Sequence, residues 1–165
     1  MKHIWAPWRM TYIKGDVKED GCLFCNRLAQ DDGVENLILH RSQNAFVILN
    51  RYPYTNGHMM VVPFVHEPTI EHLEEQTLKE MMTLTNLAIS ALRKIYHAQS
   101  FNIGINIGEV AGAGVVEHVH IHVVPRWSGD TNFMSITAET RVIPEALEET
   151  YEKLRSAWCE LTRNP

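Results

Sequence analysis

Three histidines alternate with apolar residues in the segment His118-Val119-His120-Ile121-His122-Val123-Val124-Pro125. In an extended strand, successive side chains point to opposite faces, so the three imidazoles would share one face at a spacing of about 6.6–6.8 Å. Val119, Ile121 and Val123 would then face the core. Only 9 of the 165 residues are histidine, so chance does not readily give this alternation, and the pattern indicates a reactive face.

Two kinds of chemistry use such a row of imidazoles. In one, a His-x-His pair and a third histidine hold a catalytic zinc ion and leave one coordination position for water. In the other, a neutral imidazole attacks the substrate, while neighbouring histidines and backbone N–H groups stabilise the developing negative charge. With an ordinary pKa of about 6.5, histidine is mostly unprotonated at neutral pH and suits reactions at phosphorus.

The loop before the histidines favours the second chemistry. Gly104, Gly108, Gly112 and Gly114 precede them, and backbone without side chains lets N–H groups approach phosphate oxygens. A glycine-rich loop alone is weak evidence. Beside the histidines, it favours a nucleophile that acts on phosphate.

Cys22-Leu23-Phe24-Cys25 is a second group with chemical potential. Two thiolates at this spacing reach one ion, and zinc in four-coordinate structural sites prefers sulfur and imidazole ligands. The alternative is a pair of reduced cysteines packed as small apolar residues. The third cysteine, Cys159, is interpreted as a packing or surface residue.

The composition is that of an ordinary soluble domain. The chain has 165 residues, of which 45% are hydrophobic and 21% charged, and this excludes the disordered and fibrous classes. A net charge of −5 argues against sequence-independent binding to long nucleic acid. The sequence has no apolar run long enough to span a membrane and no apolar segment typical of a secretory signal, and the few cysteines fit a reducing compartment. We therefore expect a cytoplasmic protein with no membrane partner.

Apolar periodicity predicts the elements that carry these residues. The predicted strands cover residues 36–39, 45–50, 58–63, 101–107 and 115–125. Apolar residues at intervals of three and four predict an amphipathic helix in the segment that begins at Glu67, and a C-terminal helix over residues 147–161. Successive strands with segregated helices favour an α+β domain with a mostly antiparallel sheet.

Two packing details follow from the same periodicity. Met81 and Met82 are assigned to the core-facing side of the long helix. Ile103, Ile105 and Ile107 alternate with polar residues and are assigned to one buried face of a half-buried strand.

The histidine segment resembles the His-φ-His-φ-His-φ-φ signature, where φ is apolar, of the histidine triad (HIT) family of nucleotide hydrolases and transferases. Residues 46–50, 57–63 and 106–108 also resemble the pattern of that family. The resemblance implies one HIT-like domain over residues 1–165, usually a homodimer, that binds a purine nucleotide against its sheet. The N-terminal extension would be residues 1–20, the core 21–127, and the C-terminal segment and helix 128–165.

The same resemblance assigns catalytic roles to three histidines. His120 would be the nucleophile that attacks an α-phosphate and forms a nucleotidyl-histidine, while a backbone carbonyl orients its other ring nitrogen. His122 would contact the phosphate and assist the leaving group, with His58 behind it on the neighbouring strand. From the residues alone, the alternative for His58 is an exposed turn residue after Asn56-Gly57.

The resemblance also assigns nucleotide-binding residues. Asn50 would bind the ribose, for which a strand cap is the alternative, and Asn106 would lie at the phosphate. The family often carries a hydroxyl residue three positions before the first motif histidine, where this chain has Val115. The backbone N–H groups of Gly114 and Val115 are therefore expected to serve in its place.

Family members that carry Cys-x-x-Cys near the N-terminus complete a zinc site with two histidines. By that resemblance, Cys22, Cys25, His66 and His118 would bind a structural zinc ion, while the chemistry stays on His120. No organic cofactor is expected.

The flanking segments narrow the resemblance to one branch of the family. Trp5-Ala6-Pro7-Trp8-Arg9 and residues 125–134 resemble the bacterial diadenosine tetraphosphate (Ap4A) phosphorylase-like branch, in which inorganic phosphate attacks the nucleotidyl-histidine and yields ADP and ATP. Arg126 and Arg9 are candidates to hold that phosphate through forked guanidinium donors, and the alternative for both is a solvated surface residue. The alternatives are a hydrolase of dinucleoside polyphosphates or nucleoside phosphoramidates, and a non-catalytic nucleotide-binding adaptor.

Overall fold

The computed structural model describes residues 20–130 and 145–163. The predictions for Arg9, for the segment Trp5-Ala6-Pro7-Trp8 and for residues 131–134 lie outside these ranges. None of the helices within the ranges is long and apolar enough to cross a membrane.

A five-stranded sheet and three α-helices build the part of the chain that the structure describes. The helices are α1 (Leu23–Leu28), α2 (Glu75–Tyr96) and α3 (Leu147–Arg163). The strands are β1 (Ile38–Arg41), β2 (Ala45–Leu49), β3 (Met59–Pro63), β4 (Ser100–Ile105) and β5 (Ile121–Arg126). Their order is β1-β2-β3-β5-β4, and every neighbouring pair is antiparallel. The predicted α+β class with an antiparallel sheet is confirmed.

Strands β2 and β3 form the centre of the core. Every residue in both strands is buried, which explains why each reads as a continuous apolar run instead of an alternating one. Helix α2 packs against β2, β3 and β5, and α3 packs against α2 and β1. Helix α2 therefore supports β3 and β5, the strand that His58 directly precedes and the strand that contains His122.

Helix α2 begins at Glu75, so its predicted start near Glu67 is wrong. Pro68 follows Glu67, and the residue before a proline is disfavoured in helical backbone. The intervening segment instead forms a short 3₁₀ turn at Ile70–His72. Met81 is 1% exposed and Met82 is 52% exposed. Because adjacent helical residues point about 100° apart, only one residue of the pair faces the core.

Strand β5 begins at Ile121, so the predicted strand over residues 115–125 starts too early. The ladder with β3 ends at the Val61–Ile121 pair. Pro63 has no N–H that could add a further hydrogen bond to this ladder. Its carbonyl oxygen instead lies 3.0 Å from Nε2 of His118. His118 and His120 therefore lie in irregular backbone before the strand, and His122 lies within it.

The apolar face predicted for the fourth strand is only partly buried, since Phe101 and Ile105 pack against the core. Ile103 is 45% exposed and Ile107 is 41% exposed, because β4 is an edge strand that pairs with β5 alone among the described strands. The structure also contains α1, which apolar periodicity did not predict because the helix has only six residues.

Candidate active site and metal centre

A cavity of about 460 Å³ lies over the end of β2 and beside the motif histidines. Its size falls in the range of sites that bind small ligands. Its walls come from α1, the turn after β2, the loop before β5 and the histidines; among the lining residues are Phe24, Arg27, Asn50, Arg51, Tyr52, Tyr54, Gly114, Val115, Glu117, His120 and His122.

His120 has the geometry of a nucleophile. Its Nδ1 lies 2.9 Å from the carbonyl oxygen of His118, and because a carbonyl only accepts hydrogen bonds, Nδ1 carries the ring proton. The lone pair is then on Nε2. Burial lowers the pKa of His120, although the bond to the His118 carbonyl opposes this effect. The imidazole is therefore held neutral, with one tautomer selected.

Backbone geometry also selects the tautomers of His58 and His122. The N–H of Tyr54 donates to Nδ1 of His58 at 3.1 Å, so the proton of His58 is on Nε2. That nitrogen lies 3.0 Å from Nδ1 of His122 and donates to it, which places the proton of His122 on its own Nε2. His58 is 1% exposed and is not an exposed turn residue.

Aromatic contacts hold the three rings in place. The Phe24 ring centroid lies 4.9 Å from that of His120. Tyr54 stacks on His58 at 4.6 Å. The rings of His120 and His122 are 4.7 Å apart and nearly perpendicular. Packed rings lose little rotational freedom on binding a ligand, so the site is preorganised.

The structure brings three of the four predicted nucleotide-binding residues to the cavity. Asn50, Gly114 and Val115 line it. Asn50 Oδ1 accepts from the N–H of Tyr52 at 2.9 Å, which fixes the orientation of its amide. Asn106 follows β4 and is not among the residues that line the cavity, so its role at the phosphate stays a prediction.

The structure does not bring Arg126 to the cavity. Its guanidinium binds Asp130 at 2.8 Å and Asn102 at 2.9 Å, and Asp130 raises its pKa. Two arginines that sequence reasoning did not single out, Arg27 and Arg51, line the cavity instead. Both could have been found from the sequence by their proximity to predicted site residues, because Arg51 directly follows Asn50 and Arg27 lies two residues after Cys25.

Cys22, Cys25, His66 and His118 form a second cluster, whose ligand atoms all lie within 4.8 Å of one another. Nδ1 of His118 lies 3.3 Å from Sγ of Cys22 and 3.7 Å from Sγ of Cys25, and Nδ1 of His66 lies 3.4 Å from Sγ of Cys25. Tetrahedral zinc with ordinary Zn–S and Zn–N bonds separates its sulfur and nitrogen ligands by about 3.6 Å. The four residues therefore fit one tetrahedral ion.

The tautomer of His118 also fits a metal ligand. Its Nε2 donates to the Pro63 carbonyl at 3.0 Å, which leaves the lone pair of Nδ1 directed toward the sulfurs. Such a bond on the second ring nitrogen is the usual way in which a ligating imidazole is oriented.

The profile of the HIT domain family matches residues 33–129, a range that contains the sheet, α2 and all three motif histidines. The chain belongs to the HIT family. The predicted family is thus confirmed.

Relatives and solved structures agree with this assignment. The HIT protein is 35% identical over 166 residues to the AP-4-A phosphorylase of Mycobacterium tuberculosis, covering 96% of this chain and 85% of that protein. It is similar to a Zn-bound histidine triad family protein from Mycobacterium smegmatis, with 30% identity and a TM-score of 0.71, covering 88% of this chain and 98% of that one. A hypothetical histidine triad nucleotide-binding protein from Sulfolobus tokodaii is 27% identical with a TM-score of 0.68, covering 86% of this chain and 95% of that one.

Proposed function

We propose that this HIT protein transfers an adenylyl group from a dinucleoside polyphosphate, with Ap4A as the type substrate, to inorganic phosphate through a nucleotidyl-His120 intermediate. The observation that carries the proposal is the 2.9 Å contact of His120 Nδ1 with the His118 carbonyl, which leaves Nε2 as the attacking nitrogen. The similarity to the M. tuberculosis AP-4-A phosphorylase supports the substrate class.

The reaction has two displacements at one phosphorus atom. In the first, the lone pair of His120 Nε2 forms a bond to the α-phosphorus, and the bond to the bridging oxygen breaks with its electron pair leaving on ATP. The modified ring is cationic, and the His118 carbonyl stabilises its Nδ1–H. In the second, an oxygen of inorganic phosphate attacks phosphorus, the P–N bond breaks, and ADP leaves.

The walls of the cavity supply donors for the phosphate oxygens. The backbone N–H groups of Gly114 and Val115 belong to a glycine-rich loop of the kind that binds anions, and both residues line the cavity. Arg27 and Arg51 add positive charge to the same walls. We assign the ribose to Asn50, whose amide lies beside the histidines.

Product analysis tests this function. The purified protein is incubated with Ap4A, with and without inorganic phosphate, and the nucleotides are separated. We expect ADP and ATP only when phosphate is present. AMP and ATP in both conditions would instead identify a hydrolase, and binding without turnover would identify a nucleotide-binding adaptor.

We propose that Cys22, Cys25, His66 and His118 hold a structural zinc ion. When bound, zinc supplies a cross-link between α1 and the segment before β5 and takes no part in the chemistry. The fit of the four ligand atoms to a tetrahedron supports this assignment. None of the three cysteines forms a disulfide bond, and reduced cysteines are typical of cytoplasmic proteins.

We propose that the protein is a homodimer joined along β4. This edge strand exposes Ile103, and the residues that follow it expose Ile107 and Val110. An exposed apolar strand edge pairs readily with another strand, and a second copy offers the same edge across a two-fold axis.

Replacing Ile103 with Asp tests this interface. Because a charge would lie in the apolar contact, we expect the dimer dissociation constant to rise at least about 100-fold. Sedimentation velocity measures the change, and Val65→Asp, another exposed apolar residue (47%), is the matched control. An unchanged dimer for Ile103→Asp, or a wild-type monomer, would contradict the assignment.

A further inference from the structure

We propose that Phe24 is a positioning residue for the nucleophile: its ring holds the His120 imidazole in the orientation that attacks phosphorus, and Phe24 is held in turn by the proposed zinc cluster, the two cysteines beside it with His66 and His118. This role rests on the proposed nucleotidyl transfer, because His120 is the residue that the transfer modifies. The zinc cluster then affects the rate of transfer through the packing of side chains, without a contact to the substrate.

Phe24 lies between the two cysteines at the start of helix α1. It is two residues after Cys22 and directly before Cys25, and it is buried, with 1% of its surface exposed. A helix of six residues is too short to be stable by itself in water, so contacts outside α1 set the position of the Phe24 ring. The cluster supplies such contacts, because Nδ1 of His118 lies 3.3 Å from Sγ of Cys22 and 3.7 Å from Sγ of Cys25.

The Phe24 ring contacts an imidazole of each centre. Its centroid lies 4.9 Å from that of His120 at an interplanar angle of 58°, and 5.4 Å from that of His118 at an angle of 78°. Both distances fall in the range of about 4.5–7 Å that aromatic pairs favour. One buried side chain therefore links the proposed metal ligand His118 to the proposed nucleophile His120 by direct contact.

The orientation of His120 depends on packing as well as on its hydrogen bond. The imidazole turns about two side-chain torsions, and the 2.9 Å bond from Nδ1 to the His118 carbonyl restrains the position of one ring atom. The rings of Phe24 and His122 pack against this imidazole and restrain its tilt, which sets the direction of the lone pair on Nε2. Because a misplacement of about 1 Å lowers a reaction rate about 100-fold, loss of the Phe24 ring should slow the attack.

Phe24→Leu tests the positioning role, because leucine stays apolar and removes the ring. The rate constant of adduct formation is measured by rapid mixing at saturating Ap4A without phosphate, and the Kd for AMP is measured by calorimetry. We expect the rate constant to fall about 10–100-fold and the Kd to change less than about threefold. Phe24 also lines the cavity, so a weakened Kd with an unchanged rate constant would identify a ligand contact and would overturn the proposal.

Phe46→Leu is the matched control for the loss of a buried phenyl ring. Phe46 is fully buried on β2 and stacks on Phe64 at 6.0 Å, and it is not among the residues that line the cavity. This substitution should lower the Tm about as much as Phe24→Leu and leave the rate constant of adduct formation unchanged. Equal losses of rate in the two variants would make Phe24 an ordinary core residue and refute its positioning role.

Removal of the metal tests the link between Phe24 and the zinc cluster. If the cluster acts through Phe24, the effects of chelation and of the lost ring do not add. We expect chelation to slow adduct formation about 10–100-fold in the wild type and less than about threefold in Phe24→Leu. Equal factors in the two proteins, or a chelated wild type that reacts at the full rate, would contradict the link.

Carbon-13 relaxation of the His120 ring gives a readout that needs no substrate. We expect an order parameter of about 0.85 in the metal-loaded wild type and in Phe46→Leu, and a value below about 0.6 in Phe24→Leu and in the chelated wild type. A His120 ring that is as rigid in Phe24→Leu as in the wild type would rule out the proposed restraint.

The relaxation measurement separates this role from the proposed function. If the protein does not use Ap4A but the His120 ring becomes mobile in Phe24→Leu, the positioning role stands and the substrate is wrong. If the protein converts Ap4A and phosphate to ADP and ATP, and Phe24→Leu forms the adduct at the full rate, the function stands and the positioning role fails.

Discussion

His120→Ala is expected to lower nucleotidyl transfer by about 10⁴–10⁶-fold and to abolish the covalent intermediate, because the substitution removes the imidazole lone pair that is proposed to attack phosphorus. His120 is 3% exposed, so the attacking atom acts from inside the cavity, where water competes poorly. The measurement is rapid mixing with labelled Ap4A in the absence of phosphate, followed by detection of a protein-bound, acid-labile label.

His72→Ala is the matched control for this experiment. His72 is exposed, pairs with Glu67 and does not line the cavity, so its loss should leave both the adduct and the rate unchanged. His120→Gly with added imidazole gives a second check, because a free imidazole in the vacated space should restore part of the transfer. Wild-type turnover in His120→Ala would refute the nucleophile assignment.

Cys25→Ser is expected to remove zinc and to destabilise the protein by about 3–5 kcal/mol, equivalent to a fall in Tm of roughly 10 °C. Serine keeps the shape of the side chain but lacks the thiolate that zinc requires. Helix α1 would lose its link to the segment that carries His118, while the sheet and α2 keep their own core. Metal analysis and thermal unfolding measure the two effects.

Cys159→Ser provides the control because Cys159 lies on α3 and outside the cluster. It should retain one zinc ion per chain and an unchanged Tm. A chelator should lower the Tm of the wild type to that of Cys25→Ser and should leave the Tm of Cys25→Ser where it is. Full metal content in Cys25→Ser, or equal destabilisation by the two substitutions, would contradict the structural zinc site.

Residue types and spacing predicted which side chains lie together more accurately than they predicted where the strands and helices begin and end. Alternating histidines and paired cysteines are short-range patterns, and the structure brings together both of the groups that they suggested. The boundaries were less predictable. Strand β5 starts at Ile121 because Pro63 ends the ladder on the neighbouring strand, a fact about strand pairing that the local sequence of residues 115–125 does not carry.

Other features depend on contacts between distant segments. The exposure of Ile103 follows from the position of β4 at the sheet edge, and alternation alone gives no strand order. Arg126 lies directly after the motif, yet it binds Asp130 and Asn102. The tautomer of His58 is set by a backbone N–H, that of Tyr54, which no side-chain pattern reveals.

His118 belongs to both centres through different atoms. The Nδ1 atom of its ring lies beside the cysteine sulfurs, and its carbonyl oxygen accepts a hydrogen bond from Nδ1 of His120, the proposed nucleophile. A His118→Ala variant loses the ring but keeps the carbonyl oxygen. A loss of activity in this variant would therefore come from the loss of the metal ligand and its structural support, although it could be mistaken for the loss of a catalytic group. Because every amino acid carries that oxygen, substitution of the His118 side chain does not remove the contact that orients His120. Only a change to the main chain itself, such as an ester or thioamide linkage at this residue, would expose it.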